Sequence, residues 1–289
     1  MPEGDSVWRA ARRLDRGLAG RRLVRSDFRV PRHATADLTG RQVLGTETHG
    51  KHLFTRFEGG LTLHTHLRMD GEWTVLGRGK QPPARLRADV RVLLGTDEGR
   101  LGLALRMPVV ELMASTDEQR ITARLGPDPL RGDWDADEAV RRLGADPGRP
   151  LGAALLDQFL LAGLGNLWVN ELLFVRGHGP WTPAGEADLA KVVALATRML
   201  RQSITVRSNG QVTTGDPRPG YEHWVYGRSG QPCRRCGTRV RHLPEDHSTR
   251  TRATWWCPHC QPGPEPAVAG PGKRHSQTSA SVAPDGRLR

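Results

Sequence analysis

The sequence predicts a multi-domain α+β protein: an N-terminal helix, an antiparallel β-sandwich or barrel, a helical domain and a small metal-held module. Three observations predict it. Apolar residues first recur at helical spacing and then alternate around glycine turns. The period returns to helical near residue 117, and all four cysteines are confined to residues 233–260. A chain of 289 residues is also long for a single core.

Residues 4–18 form the first element. Val7, Ala11, Leu14 and Leu18 share one helical face, Arg9, Arg12, Arg13 and Arg16 lie elsewhere, and Gly20 is a stop. In HLFTRFEGGLTLHTHL apolar residues alternate around Gly59-Gly60, a hairpin signal, and DVRVLLGTDEGRLGLAL repeats the design around Asp97-Glu98-Gly99. DADEAVRRLG opens on acids and closes on Arg and Gly, as a short helix does. RPLGAALLDQFLLAGLGNLWVNELLFVRG reads as two helices. The first begins near Pro150; after the AGLGN break, with Asn166 as N-cap, the second runs to about Arg176. A third helix covers about 186–207, and the tail beyond Pro262 is too poor in apolar residues to order itself.

The net charge of +12 points to a polyanionic partner, most often nucleic acid, against the plainer reading of solubility alone. No run approaches the ~18 apolar residues of a membrane span, and no signal peptide is visible, so no membrane partner and a cytoplasmic location are expected. The pairs CRRC and CPHC place Cys233, Cys236, Cys257 and Cys260 to close a tetrahedral shell, which predicts one structural Zn2+ ion with no open position. His242, His247 and His259 are not needed as ligands. Around this module Arg228, Arg234, Arg235, Arg239, Arg241, Arg250 and Arg252 face only Glu245 and Asp246, a surface suited to phosphate. GLGN before a helix adds free N–H groups at a positive helix end, with the Asn166 amide beside them.

At this point five stretches, in order, carry a resemblance: PEGD, HGKHL, GLGNLWVNELLF, VYGRSGQPC and RATWWCPHCQ. The chain resembles the bacterial Fpg/Nei family of DNA glycosylases over about residues 2–262, and is most similar to its endonuclease VIII (Nei) branch. The resemblance implies an N-terminal helix with a β-sandwich (1–115), a helical domain with a helix–two-turn–helix (116–228), a zinc finger (229–262) and a disordered tail (263–289). It implies excision of a damaged base and cleavage of the backbone, on damaged DNA, by a nucleoid-associated monomer without nucleotide cofactor.

The implied catalytic residues are Pro2, Glu3 and Lys51. Freed of Met1, Pro2 carries a secondary amine of pKa near 8, partly unprotonated at neutrality, which attacks C1′ and forms an iminium that drives β,δ-elimination. Glu3 is its acid/base partner, and Lys51 contacts the flanking phosphate. Asn166 and Arg252 match the family's phosphate clamps, and Glu171 a glutamate that orders the N-terminus, with an exposed helix acid as its alternative. HLRMDG matches the void-filling loop, with Met69 the wedge and Arg68 and Asp70 beside it; the alternative for Met69 is a strand-end core position.

Two departures bear on substrate. The region LALRMPVVELM lacks the Fpg branch's opposite-strand loop, with Arg106 or Met107 as candidate substitutes, and GQVTTGDPRPGYEHW is short for that branch's purine-capping loop. Both favour oxidised pyrimidines. The alternatives are an oxidised-purine (formamidopyrimidine/8-oxoguanine) glycosylase, and a DNA-binding protein that has lost catalysis.

Overall fold

A computed structural model describes residues 2–206, 210–246 and 252–265. Met1, residue 207 of the third predicted helix, His247, Arg250 and the tail from 266, with the disorder expected of it, lie outside the described residues.

Helix α1 (Gly4–Leu18) buries the face carrying Val7, Ala11, Leu14 and Leu18 and ends at Gly20, whose φ of 78° continues no helix. Eight strands follow: β1 (Leu23–Phe28), β2 (Val43–His49), β3 (His52–Phe57), β4 (Leu61–His66), β5 (Glu72–Leu76), β6 (Val90–Thr96), β7 (Leu101–Leu105) and β8 (Val109–Ala114). They form two antiparallel sheets, ordered β1-β6-β7-β5 and β2-β3-β4-β8, so the sheet domain is a sandwich rather than a barrel. Both expected hairpins form, β3–β4 with Phe57 opposite Leu61 and β6–β7 with Gly95 opposite Leu101. Leu14 and Leu18 of α1 share one core with Leu53, Phe57 and Leu63 of one sheet and Trp73, Val92 and Ala104 of the other. Each such side chain contributes about 1.5–3 kcal/mol on burial, which fixes the start of the chain against the sandwich.

The helical part comprises α2 (Gln119–Thr122), α3 (Ala136–Leu143), α4 (Leu151–Leu156), α5 (Asn166–Arg176) and α6 (Leu189–Thr205). Asp135 caps α3 by accepting the Glu138 N–H. Pro150 stands just outside α4 rather than in its first turn. α6 starts later than its pattern suggests because Asp188 accepts the Lys191 N–H and sets the first turn there. A second core joins Leu143, Leu155, Trp168, Leu172, Val193 and Leu200. Helix α5 is buried on every side from Asn166 to Phe174, because it lies between that core and a third one. In the third, Phe174 packs with Val225, Val240 and Cys257 beside the hairpin of β9 (Arg241–Leu243) and β10 (Thr254–Trp256). No helix among the described residues is long and apolar enough to cross a membrane.

Candidate active site

The first-turn N–H groups of a helix need an acceptor. At α5 that acceptor is Glu3, from the other end of the chain. Its Oε2 accepts from Gly165 N at 3.0 Å and Trp168 N at 3.3 Å, and its Oε1 from Leu167 N at 2.8 Å. Two expectations are thereby corrected. Gly165, not Asn166, is the N-cap, because the extended cap residue must turn its N–H onto Glu3. The positive helix end that GLGN offered to a phosphate is filled by the protein's own carboxylate, which is 0% exposed.

Glycines make this approach possible. Gly4 N–H donates to the Gly163 carbonyl at 2.8 Å, and a Cβ on Gly4 would stand 2.9 Å from Gly163 Cα. A Cβ on Gly165 would stand 2.3 Å from Glu3 Cδ. Gln158 braces the turn, accepting Gly163 N–H at 3.0 Å and donating to the Leu164 carbonyl at 2.8 Å.

Above this floor one cavity of about 400 Å³ is lined by Pro2, Lys51, Arg68, Met69, Asn166 and Arg252, together with His66, Gln158 and Gly165. Residues as far apart in the chain as Pro2 and Arg252 thus meet in one space. Lys51 sits on the turn between β2 and β3, and Asp128 fixes that turn by accepting Gly50 N–H at 2.7 Å and Leu130 N–H at 2.8 Å. Burial lowers the Lys51 pKa, Glu3 opposes the shift and Arg252 adds to it. Burial raises the Glu3 pKa, opposed first by Lys51 and then by the Leu167 and Trp168 N–H groups. The pair therefore favours neutral forms more than either group does in water, which suits groups that give and take protons. Burial, then Arg68, pushes the His66 imidazole down to about 4, so it is neutral at physiological pH.

Met69 projects from the β4–β5 turn with 59% of its surface exposed, so the core alternative does not hold. Arg68 beside it has a φ of 50°. Asn166 donates through Nδ2 to the Ala253 carbonyl at 2.7 Å, and Arg252 pairs with Glu245 at 3.3 Å. Both therefore stand where α5 meets the β9–β10 hairpin. Met107 is 3% exposed within the sandwich core and cannot reach another strand. Arg106 stays at the surface, paired with Asp89 at 2.6 Å.

Glu171 differs from both of its readings. It is fully buried, and it orders the entry to the cysteine module rather than the N-terminus. Its carboxylate accepts from Trp224 N, Val225 N and Tyr226 N, each at 2.8 Å, and from the Thr213 hydroxyl. Asp5, read from the sequence only as a first-turn acid, carries more. Buried completely, it accepts from Arg9, Trp168, Ser203 and Gln211, and so ties α1 to α5, α6 and the segment after α6. Asp128 gave no sequence signal because the Gly50 turn it holds lies 78 positions away, and Gln158 gave none although the turn it braces is only five residues on.

The four cysteine sulfurs lie within 4.8 Å of one another, with Cys233 and Cys260 3.9 Å apart and Cys236 and Cys257 3.5 Å apart. Zn–S bonds of about 2.3 Å in a tetrahedron put sulfurs about 3.8 Å apart, so the donor set fits zinc. It is the one group of metal-binding side chains brought together among the described residues.

Comparison with known proteins places this geometry in context. The profile of the formamidopyrimidine-DNA glycosylase N-terminal domain matches residues 1–104, and that of the formamidopyrimidine-DNA glycosylase H2TH domain residues 125–214. The chain is 48% identical over 270 residues to a probable endonuclease 8 2 of Streptomyces coelicolor, covering 93% of this chain and 97% of the relative. It is 43% identical over 263 residues to the DNA-(apurinic or apyrimidinic site) lyase Nei2 of Mycolicibacterium smegmatis, covering 90% and 99%. Among solved structures, Lactococcus lactis formamidopyrimidine DNA glycosylase bound to DNA containing an AP site shares the fold, with a TM-score of 0.74 at 23% identity over 91% of this chain and 100% of that one.

Proposed function

Because the chain belongs to the formamidopyrimidine-DNA glycosylase and endonuclease 8 family, we propose that Pro2 is the nucleophile of its reaction, with Glu3 and Lys51 as proton-handling partners. The protein is a bifunctional base-excision enzyme, a DNA glycosylase and AP lyase, and its partner is DNA. The observation that carries the residue assignment is the cavity that unites Pro2, Lys51, Asn166 and Arg252 directly above the buried Glu3.

The chemistry runs on this chain's own groups. With Met1 removed, the Pro2 nitrogen adds to C1′ and the bond from C1′ to the damaged base breaks. The nitrogen passes its proton to the departing base, and Glu3, whose pKa burial raises, gives a proton to O4′ as the ring bond opens. The resulting iminium keeps its positive charge because proline is a secondary amine, and it acidifies the 2′ position. Loss of a 2′ proton expels the 3′ phosphate, and a second elimination expels the 5′ phosphate. Lys51, its pKa lowered by burial, contacts the flanking phosphate and shares these proton transfers.

Asn166 and Arg252 grip the backbone from α5 and from the cysteine module, and Met69, flanked by Arg68, fills the space left by the extruded base. Cys233, Cys236, Cys257 and Cys260 would hold one Zn2+ ion, whose contribution is a structural crosslink that keeps the Arg252 hairpin against α5. Separate cores within the sandwich and within the helical part support the division between 1–115 and 116–228, while Phe174 and Val225 of 116–228 share a cluster with Cys233, Val240 and Cys257 of 229–262. The substrates are oxidised pyrimidines, the enzyme works as a monomer without nucleotide cofactor, and it acts at the nucleoid in the cytoplasm.

Incubation with abasic-site DNA and borohydride tests the chemistry. A covalent adduct forms with the native protein and vanishes in Pro2→Gly; no native adduct defeats the assignment. A panel of lesion duplexes tests the substrate, and faster excision of 8-oxoguanine than of thymine glycol or dihydrouracil would overturn the pyrimidine preference.

A further inference from the structure

A second and larger cavity, of about 530 Å³, adjoins the first. The two meet at Leu156, Asn166 and Arg252, which line both. The second is walled by Pro150 and Ala153 at the start of α4, Val169 and Leu173 of α5, and Pro180 and Trp181. These walls are apolar. Trp181 is braced edge-on by Trp256, with ring centroids 4.8 Å apart and planes at 82°. Arg149 at the rim is matched by Asp157 at 3.0 Å, so that side offers no surplus positive charge to a phosphate. The nearby Asn170 amide is already engaged, its Nδ2 on the Asn166 carbonyl at 2.6 Å and its Oδ1 on Trp255 N at 2.7 Å. A compartment of this size falls within the about 300–1,000 Å³ of small-ligand sites, and its lining suits a flat, uncharged aromatic group.

We infer that this compartment is a second nucleobase subsite. It takes the base of one nucleotide adjacent to the lesion, across the phosphate gripped by Asn166 and Arg252, and packs that base against the Trp181 ring. The inference rests on the reading of those two residues as phosphate contacts. Continuity with the Pro2 cavity supplies the path. The walls supply apolar area and an indole but few directed polar groups, so the subsite accepts any base, as stacking platforms do. Its effect is to unstack the lesion's neighbour on one side, which loosens the damaged nucleotide for extrusion.

The test compares binding to duplexes that carry a tetrahydrofuran abasic analogue, with the base on its 5′ or its 3′ side either present or also replaced by tetrahydrofuran. For the native protein, removing the base on one side weakens binding about 5- to 150-fold, and removing the other changes it little. In Trp181→Ala the sensitive duplex and its base-deleted counterpart bind alike. Ala153→Trp, an exposed position at the cavity mouth, gives the same equality without touching the Trp181–Trp256 packing and decides the matter if Trp181→Ala does not fold. Native indifference at both sides, or undiminished sensitivity in a folded variant, overturns the subsite. Borohydride trapping by the native protein reports separately on the nucleophile, so a failed subsite with an intact adduct leaves the proposed chemistry standing.

Discussion

The Trp168 indole donates to Asp5 at 3.1 Å, which couples helix α5 to the helix that begins two residues after Pro2. Asp5 also holds Arg9 at 2.8 Å, Ser203 at 2.7 Å and Gln211 at 2.8 Å. Asp5, three residues after Pro2, thus serves as the joint between the sandwich and the helical core.

Replacing Asp5 by Asn should therefore loosen the whole assembly. The change leaves Arg9 without its buried counter-charge and turns an amide toward donors. A loss of about 3 kcal/mol is expected, measured by denaturant unfolding. A loss below about 0.5 kcal/mol, typical of surface substitutions, would show that the joint carries nothing.

Gly165→Ala should act through Glu3. The added Cβ would stand 2.3 Å from Glu3 Cδ, so the carboxylate must leave the helix end. We expect about 1–3 kcal/mol of destabilisation, in the range of overpacked cores. The same substitution in a Glu3→Ala background should cost clearly less, and equal costs in both backgrounds would contradict the coupling.

Glu3→Gln should reduce base excision about 10²- to 10⁴-fold, the usual range for loss of a general acid or base. Single-turnover rates on a lesion duplex measure this. The same variant reports on pH. Burial raises the Glu3 pKa above its ordinary 4.5, so folding favours the protonated form. That contribution is complete below the unfolded value and is lost as pH rises through the raised folded value. Lys51 runs the other way: its pKa is lowered from 10.5, so its contribution is present above that value and is lost as pH falls through the lowered one. Melting temperatures from pH 4.5 toward neutrality should fall more steeply for the native protein than for Glu3→Gln, and parallel curves would remove Glu3 as the cause.

Chelation should release one zinc ion per chain and abolish DNA binding, because Arg252 sits between β9 and the cysteine pair that closes the module. Metal analysis with a binding titration checks both parts. Retention of full binding after the metal is gone would separate the cysteine cluster from the DNA interface.

Much of this was legible in sequence wherever the signal is local. Helix α1, the two glycine hairpins and the cysteine pairs follow from periods and spacings within some twenty residues. The tip position of Met69 was legible only with an alternative, because a strand end does not reveal which face a side chain takes. The errors concern polar groups whose partners are remote. Glu171 was read toward the N-terminus, yet its acceptors serve residues 224–226, and nothing within α5 encodes that choice. Asn166 looked like a cap by residue type, but a carboxylate 162 positions from Gly165 made the preceding glycine the cap. Met107, a candidate for the opposite strand by sequence, lies in the core two residues beyond Leu105, where β7 ends.

The plugging of α5 by Glu3 also has a consequence in time. Glu3 leaves the ribosome well before its partner Leu167, which is 164 positions later. At about 5–20 residues per second, roughly ten to thirty seconds separate them. During that interval α1 can already pack on the sandwich, whose strands end at Ala114, but the Glu3 carboxylate has no helix end to fill. Afterwards the beginning of the chain is folded beneath its own later sequence. A half-made chain thus carries Pro2 but not Asn166 and Arg252, which line the same cavity.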